Sequence, residues 1–189
     1  MPLVHMIRHG RPQSGWCDEH ADPDPGLDDT GREQAEAACA ALLALPEPPT
    51  LILTSPLRRC RETAEPLARA LGIEPIVEPR VAEIPTPRGI PALDRPDWLR
   101  AAFQGQWASI EGDIDYLAWR DAVAEAVAAR PGAAIFSHFV AINAAASAAL
   151  GRPEVMAFRP DNASITTFET DGKRLTLIEH GREAETRVL

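Results

Sequence analysis

The chain has 189 residues and a mass of 20.5 kDa, within the roughly 100–200 residues of one domain. Its 45% hydrophobic and 25% charged residues exclude a wholly disordered chain. A net charge of −9 and a pI near 5.0 exclude a general binder of nucleic acid or anionic membrane, which presents a basic stripe, yet leave room for a small concentrated positive pocket.

Residues 3–7 form a short apolar run that reads as a buried strand and leads into Arg8-His9-Gly10. Thr30-Gly31-Arg32-Glu33 is a capping-box pattern that starts the first predicted helix. The apolar face of that helix is Ala35, Ala38, Cys39, Leu42 and Leu45, at helical spacing. Residues 51–54 are a second buried strand, and Ser55-Pro56 predicts a capping serine with proline at the first helical position. Residues 84–113 carry Pro85, Pro87, Pro91, Pro96, Trp98 and Trp107. They read as a Pro/Trp-rich lid or insertion within a single domain spanning 1–189, with a short helix over 96–103. Tyr116, Trp119, Val123 and Val127 mark a third helix that ends at Arg130-Pro131-Gly132. A third buried strand at 133–136 leads into Ser137-His138 and a helix over 138–150, stopped by Gly151. Alternating segments at 164–170 and 174–179 flank Asp171-Gly172, a hairpin signal. Strands each followed by a helix predict an α/β fold: three layers, α/β/α, with a mostly parallel central sheet and a C-terminal antiparallel hairpin.

Cys17, Cys39 and Cys60 are odd in number and widely spaced. They make neither a disulfide framework nor a zinc site, and point to a reducing cytoplasm. The N-terminus lacks a basic n-region and a long apolar run, so no signal peptide is expected. No run reaches the ~18 apolar residues of a membrane span. Lys173 is the only lysine, so arginine position, not arginine count, carries information.

Ligands of open parallel sheets bind outside the carboxyl ends of the strands. Three strand ends here deliver Arg8-His9, Arg58-Arg59 and His138 to one edge. Two of these segments also begin helices, whose free N–H groups favour an anion. Guanidinium groups grip phosphate oxygens bidentately, which lysine does not. A lone histidine is more often a satisfied core residue or a solvated one. His5, inside a strand, is read as core, and His20 and His180 as solvated. His9 and His138 beside arginines at equivalent strand ends form a phosphate pocket. The neighbouring arginines would repel a divalent cation and no HxH or HxxxH spacing occurs, so neither a metal nor another cofactor is expected.

Several segments together resemble one family. Arg8-His9-Gly10 is similar to the RHG signature of the histidine phosphatase superfamily, the phosphoglycerate-mutase-like group. Asp24-Pro25-Gly26-Leu27, with Gly31 and Gln34-Ala35, resembles the segment before its first helix. The stretch from Ser55-Pro56-Leu57 through Arg59 to Thr63-Ala64 resembles its SPLxRAxxTA motif, which makes Arg59, not Arg58, the phosphate-binding arginine. Glu83 falls at the family's acid, Ser137-His138 at its second histidine, and Asn162-Ala163-Ser164-Ile165 at the late segment that turns back past the pocket. The resemblance covers about residues 3–170.

It implies a metal-independent, histidine acid-type phosphatase, a phosphoric monoester hydrolase. His9 would take up the phosphoryl group as phosphohistidine, and Glu83 would protonate the leaving oxygen. Arg8, Arg59 and His138 would hold the phosphoryl oxygens, with Ser14, Gly15 and Ser164 among the substrate-binding positions. A charge at ~4 Å is worth roughly 4 kcal/mol at an effective dielectric of 20. Two cations near His9 therefore keep it uncharged and nucleophilic. The expected partner is a small-molecule phosphomonoester or a phosphorylated protein.

The sequence departs from the pattern in two places. After RHG the run is Arg11-Pro12-Gln13-Ser14-Gly15-Trp16, where many members have Thr and Asn. Arg11, Gln13 or Ser14 is then the substitute. After the second histidine stands Phe139 instead of glycine, and it either walls the pocket or turns into the core. The mutase branch is typically longer and keeps more substrate-carboxylate contacts, so a 189-residue chain with these changes resembles a phosphatase more than the alternative, a phosphoglycerate-mutase-type transferase. The altered Gly15 and Phe139 positions motivate a second alternative, a protein that binds a phosphometabolite without turnover. Trp16, Trp98, Phe103 and Trp107 either wall a leaving-group pocket or serve packing.

Overall fold

Each long apolar run becomes a strand with helices packed beside it. The structure is a computed structural model that describes residues 1–13 and 22–184. Its elements are β1 (Leu3–Arg8), α1 (Asp29–Leu43), β2 (Leu51–Thr54), α2 (Arg58–Leu71), β3 (Ile76–Val77), α3 (Arg95–Phe103), α4 (Tyr116–Ala128), β4 (Ala133–Ser137), α5 (Phe139–Leu150), β5 (Ile165–Thr170) and β6 (Leu175–Glu179). The strands form one sheet in the order β3-β2-β4-β1-β5-β6. β3, β2, β4 and β1 run parallel, while β5 is antiparallel to β1 and β6 to β5. This is the expected three-layer α/β/α arrangement. β3 has no signature in the sequence because it is two exposed residues at the sheet edge.

The side-chain alternation of the strands divides the core into two. Val4, Met6, Leu53, Ala133 and Ile135 meet α4 and α5 through Ala126, Val127, Ile142 and Ala145. Ile7, Ile52, Ala134 and Phe136 meet α1 and α2 through Ala38, Leu42, Cys60, Ala64 and Leu67. Both faces are apolar, which is why these strands read as continuous hydrophobic runs. Each large side chain buried this way contributes about 1.5–3 kcal/mol.

Two helix starts differ from expectation. The cap of α1 is Asp28, whose carboxylate accepts from Gly31 N at 2.7 Å. Thr30 instead sits in the first turn and accepts from Arg11 at 2.9 Å. Helix α2 begins at Arg58 with no side-chain cap from its own N-cap residue, Leu57. Its leading amide, Arg58 N, is capped from a distant loop by Asp24, at 2.9 and 3.1 Å. This helix start therefore holds a carboxylate of the protein itself, where a free anion site was expected. The other ends agree: α5 stops at Gly151 in the left-handed conformation (φ 63°), and the β5–β6 hairpin turns through Gly172 (φ 90°).

Residues 84–113 contain α3 and two short 3-10 turns, at Ala92–Asp94 and Trp107–Ser109. Ile84, Leu99, Trp107 and Tyr116 join Val123, Phe139, Val140 and Ala144 in a third apolar cluster over α4 and α5. The Trp107 indole donates to Ser147 Oγ at 2.8 Å and Tyr116 donates to Pro85 O at 2.8 Å. Trp98 meets Tyr116, and Phe103 meets Phe139, with the ring planes tilted by 52° and 47°. These aromatics pack the segment onto the helices.

Candidate functional site

Strands β1 and β4 pair with Arg8 opposite Ser137, so the next residue of each chain segment is a histidine. His9 N donates to Ser137 O at 2.9 Å, and Ser55 N donates to Phe136 O at 2.9 Å. The ends of β1, β2 and β4 are thereby held at one carboxyl edge. Gly10 lets the chain leave β1 against the first turn of α1: a Cβ there would lie 2.5 Å from Gly31 O. Gly31 returns the contact, since its Cβ would lie 2.2 Å from Arg11 O. The first and third letters of the expected motif thus have separate physical reasons, one charge and one clearance.

His9 is 5% exposed. Its Nδ1 donates to Gly10 O at 2.8 Å, which leaves the lone pair on Nε2. Burial, then the charges of Arg59 and Arg8, push its pKa well below 6.5, partly offset by the Gly10 bond. The His138 ring meets it edge-on with centroids 5.3 Å apart. His138 is fully buried. Burial first, then His9, Arg59, Arg8 and Arg95, hold its pKa well below 6.5 as well. Arg59 donates to His138 Nδ1 at 3.2 Å, so Nε2–H donates to Ser55 Oγ at 2.7 Å. The Ser55 hydroxyl also accepts from Leu57 N at 3.2 Å. Its work is to orient an imidazole, although its local sequence is that of a helix cap. Cys60 donates to Ser137 O at 3.3 Å. Burial pushes its thiol pKa up, so Cys60 is no competing thiolate nucleophile.

Arg59 is 4% exposed and lies 3.9 Å from Asp24. Arg58 points outward, half exposed, and pairs with Glu62 at 2.7 Å. Arg8 is held by the late segment: Arg8 N donates to Ser164 O at 3.2 Å, Ala163 N to Arg8 O at 3.0 Å, and its guanidinium to Pro160 O at 2.9 Å. Asn162 donates to His9 O at 2.9 Å. Ala163 takes a left-handed conformation (φ 54°) to make this wrap, a local cost of about 1–2 kcal/mol for a residue with a Cβ. Ser164 is buried, and its hydroxyl has no hydrogen-bond partner among the described residues. Burial lowers the Arg8 pKa to about 10, while Glu83 and Asp161 support its charge and Arg59 opposes it.

Glu83 comes to the same place from a different direction. Ser137 Oγ donates to Val81 O at 2.7 Å, tying that segment to the end of β4. One Glu83 oxygen then accepts from Ile84 N at 3.0 Å and the other lies 3.8 Å from His138 Nδ1. Arg95, at the start of α3, is a cation that no sequence motif singles out. It is 9% exposed and donates to Thr86 Oγ1 at 2.5 Å. Burial lowers its pKa, with Glu83 and Arg59 close enough to act on it.

The structure therefore brings Arg8, His9, Arg59, Glu83, His138 and Ser164 together. Ser14, Gly15, Trp16, Cys17 and His20 lie outside the described residues. Arg11 is tied to Asp28 at 2.5 Å, beside α1. Phe139 is both of the things expected of it, since its buried ring belongs to the third cluster and lies under Arg8. His5 bonds Thr167 within the sheet at 3.1 Å, and His180 is exposed beside Phe158. Among the described residues no group of three His, Cys, Asp or Glu is placed to hold a metal ion, and no helix is long and apolar enough to cross a membrane.

Comparison with known proteins bears on the family and the fold. A mycobacterial glucosyl-3-phosphoglycerate phosphatase superposes with a TM-score of 0.73 at 26% identity, over 97% of this chain and 100% of that one. The 55 kDa subunit of transcription factor tau from Saccharomyces cerevisiae is 32% identical over 109 residues, 49% of this chain and 25% of that protein. The protein named "Probable phosphoglycerate mutase" of Photorhabdus laumondii is 37% identical over 87 residues, 44% of this chain and 39% of that one. These curated relatives are thus matched over well under half of their own length. The sequence pattern of one family runs through nearly the whole chain, residues 4–182, from the first strand past the last, and by that match the chain belongs to the histidine phosphatase superfamily, branch 1.

Proposed function

We propose that the protein is a metal-independent phosphomonoester hydrolase that acts on a small phosphorylated metabolite through a phosphohistidine on His9. The observation that carries the reading is the state of His9: buried, uncharged, its Nδ1 committed to Gly10 and its Nε2 lone pair free among guanidinium groups. Nε2 attacks phosphorus, and the bond to the leaving oxygen breaks as Glu83 gives that oxygen a proton. Glu83 then takes a proton from water, whose oxygen displaces His9 and releases phosphate. Arg8, Arg59 and His138 carry the phosphoryl oxygens through both steps, and the charge of the two guanidinium groups is in place before substrate arrives. The cations that bind the dianion also keep the nucleophile unprotonated, so one arrangement does both tasks. A guanidinium beside each histidine opposes a divalent cation, which supports the metal-independent reading. A structural neighbour matched over 97% of the chain is a phosphatase, whereas the named mutase is matched over 44% of it.

The test is hydrolysis of para-nitrophenyl phosphate in EDTA by the wild type and by His9→Ala, with an alkaline quench to trap a base-stable, acid-labile phosphoenzyme. Turnover that survives EDTA and is abolished in His9→Ala, together with the trapped phosphoenzyme, supports the proposal. A requirement for a bisphosphate activator supports the transferase, and binding without turnover across a panel of phosphometabolites supports the binding protein.

A further inference from the structure

Phe139 opens α5 immediately after His138, at a position where the resembled pattern has glycine. Its ring is 4% exposed. The guanidinium carbon of Arg8 lies 5.4 Å from the ring centroid, inside the ~6 Å over which an aromatic face attracts a cation. Arg8 needs such support. Its guanidinium donates to Pro160 O at 2.9 Å, and its buried Nε has no partner among the described residues. No carboxylate forms a direct ion pair with it among those residues, where Glu83 and Asp161 support its charge from farther off. The ring is itself backed by Phe103 of α3, with centroids 5.2 Å apart. Phe103, Phe139 and Arg8 thus form a continuous stack from the Pro/Trp-rich segment to the phosphate pocket.

We infer that Phe139 is a positioning residue for Arg8: the aromatic face holds the guanidinium in place while leaving N–H donors for phosphoryl oxygens. A carboxylate at the same place would hold the arginine as firmly but would compete with the incoming dianion. A π face supplies attraction without that competition. The inference rests on the phosphatase reading of the site.

The experiment measures the affinity of inorganic phosphate and of orthovanadate by calorimetry. The variants are Phe139→Leu, which keeps an apolar side chain and removes the π face, and pentafluorophenylalanine at 139, which keeps the ring shape and reverses its charge distribution. Both are expected to weaken binding by roughly 3- to 30-fold. In an Arg8→Gln background the same changes are expected to cost nothing more, as a double-mutant cycle requires if Phe139 acts through Arg8. Unchanged affinity in the fluorinated protein, or an equal loss in the Arg8→Gln background, overturns the inference and leaves the phosphatase reading standing. If the wild type binds neither anion, or binds them as well after Arg59→Ala, the reading of the site fails and the inference fails with it.

Discussion

His9 and His138 link catalytic readiness to folding stability. Both are buried, and burial together with neighbouring positive charge holds both pKa values well below 6.5. In the unfolded chain each imidazole takes up a proton as pH falls through about 6.5, while in the folded protein protonation waits for a lower pH. The unfolded state then binds more protons, so stability rises with pH in this window and is lost as pH drops from 7 toward 5. A histidine whose protonation is wholly suppressed in the folded state loses about 2 kcal/mol between pH 7 and pH 5, which is the upper bound for His9 and a sizeable part of a typical total of about 5–15 kcal/mol. His9→Gln removes one of the two contributions. Urea unfolding followed by tryptophan fluorescence, at steps from pH 7.5 to 5, reads the difference between wild type and variant. Carboxylates are present in both proteins, and because His9 also lowers the His138 pKa the difference reads His9 together with its effect on that second imidazole. Phosphate and sulfate must be left out of the buffers, because an anion bound to the native state would mask the slope. The stability gap between the two proteins should change by up to about 2 kcal/mol from pH 7 to pH 5, in the direction that makes the wild type relatively weaker in acid. Parallel pH profiles would refute the account of His9 as an imidazole held neutral.

Two further predictions separate site from scaffold. Arg59→Ala should lower kcat/KM for para-nitrophenyl phosphate by about 10²-fold or more, as for removal of a preorganised transition-state donor, whereas Arg58→Ala, at a side chain paired outward with Glu62, should stay near wild type; equal losses would mean that the phosphate has been misplaced. Trp107→Phe should cost about 1 kcal/mol of stability through the lost hydrogen bond to Ser147, with the Tm falling by about 2–4 °C and kcat unchanged, and a selective change in KM without a stability loss would mean that Trp107 meets substrate.

The core and the edge that carries the candidate site are legible in the sequence for the same reason. Strands buried on both faces appear as uninterrupted apolar runs, so the run alone places the residue that follows it at the sheet edge. What stays hidden depends on partners far along the chain. Ser55 has the local signature of a helix cap, and only the arrival of His138, 83 positions later, turns it to another task. Asp24 caps a helix that starts 34 residues away, a contact no local pattern announces. Arg95 looks like one more surface arginine until Thr86 and the Ile84 carbonyl fold over it. Phe139 is ambiguous because a first-turn residue that points at both core and pocket satisfies either description. Glu83 lies in no regular element and is legible only through family resemblance, while its position follows from the Ser137–Val81 bond that fastens its segment to the sheet.

The pairing of β1 with β4 also makes the proposed phosphate pocket a product of long-range assembly. Arg8 meets Ser137 across that pair, so during synthesis β1 waits for more than a hundred further residues before its neighbour exists. β5 must then slot in on the opposite side of β1, bringing the segment that clasps Arg8. The pocket therefore closes only after β4 and β5 have both emerged, gated by distant contacts of the slow-forming kind. A product truncated before β4 would lack His138 and the strand end that fastens His9.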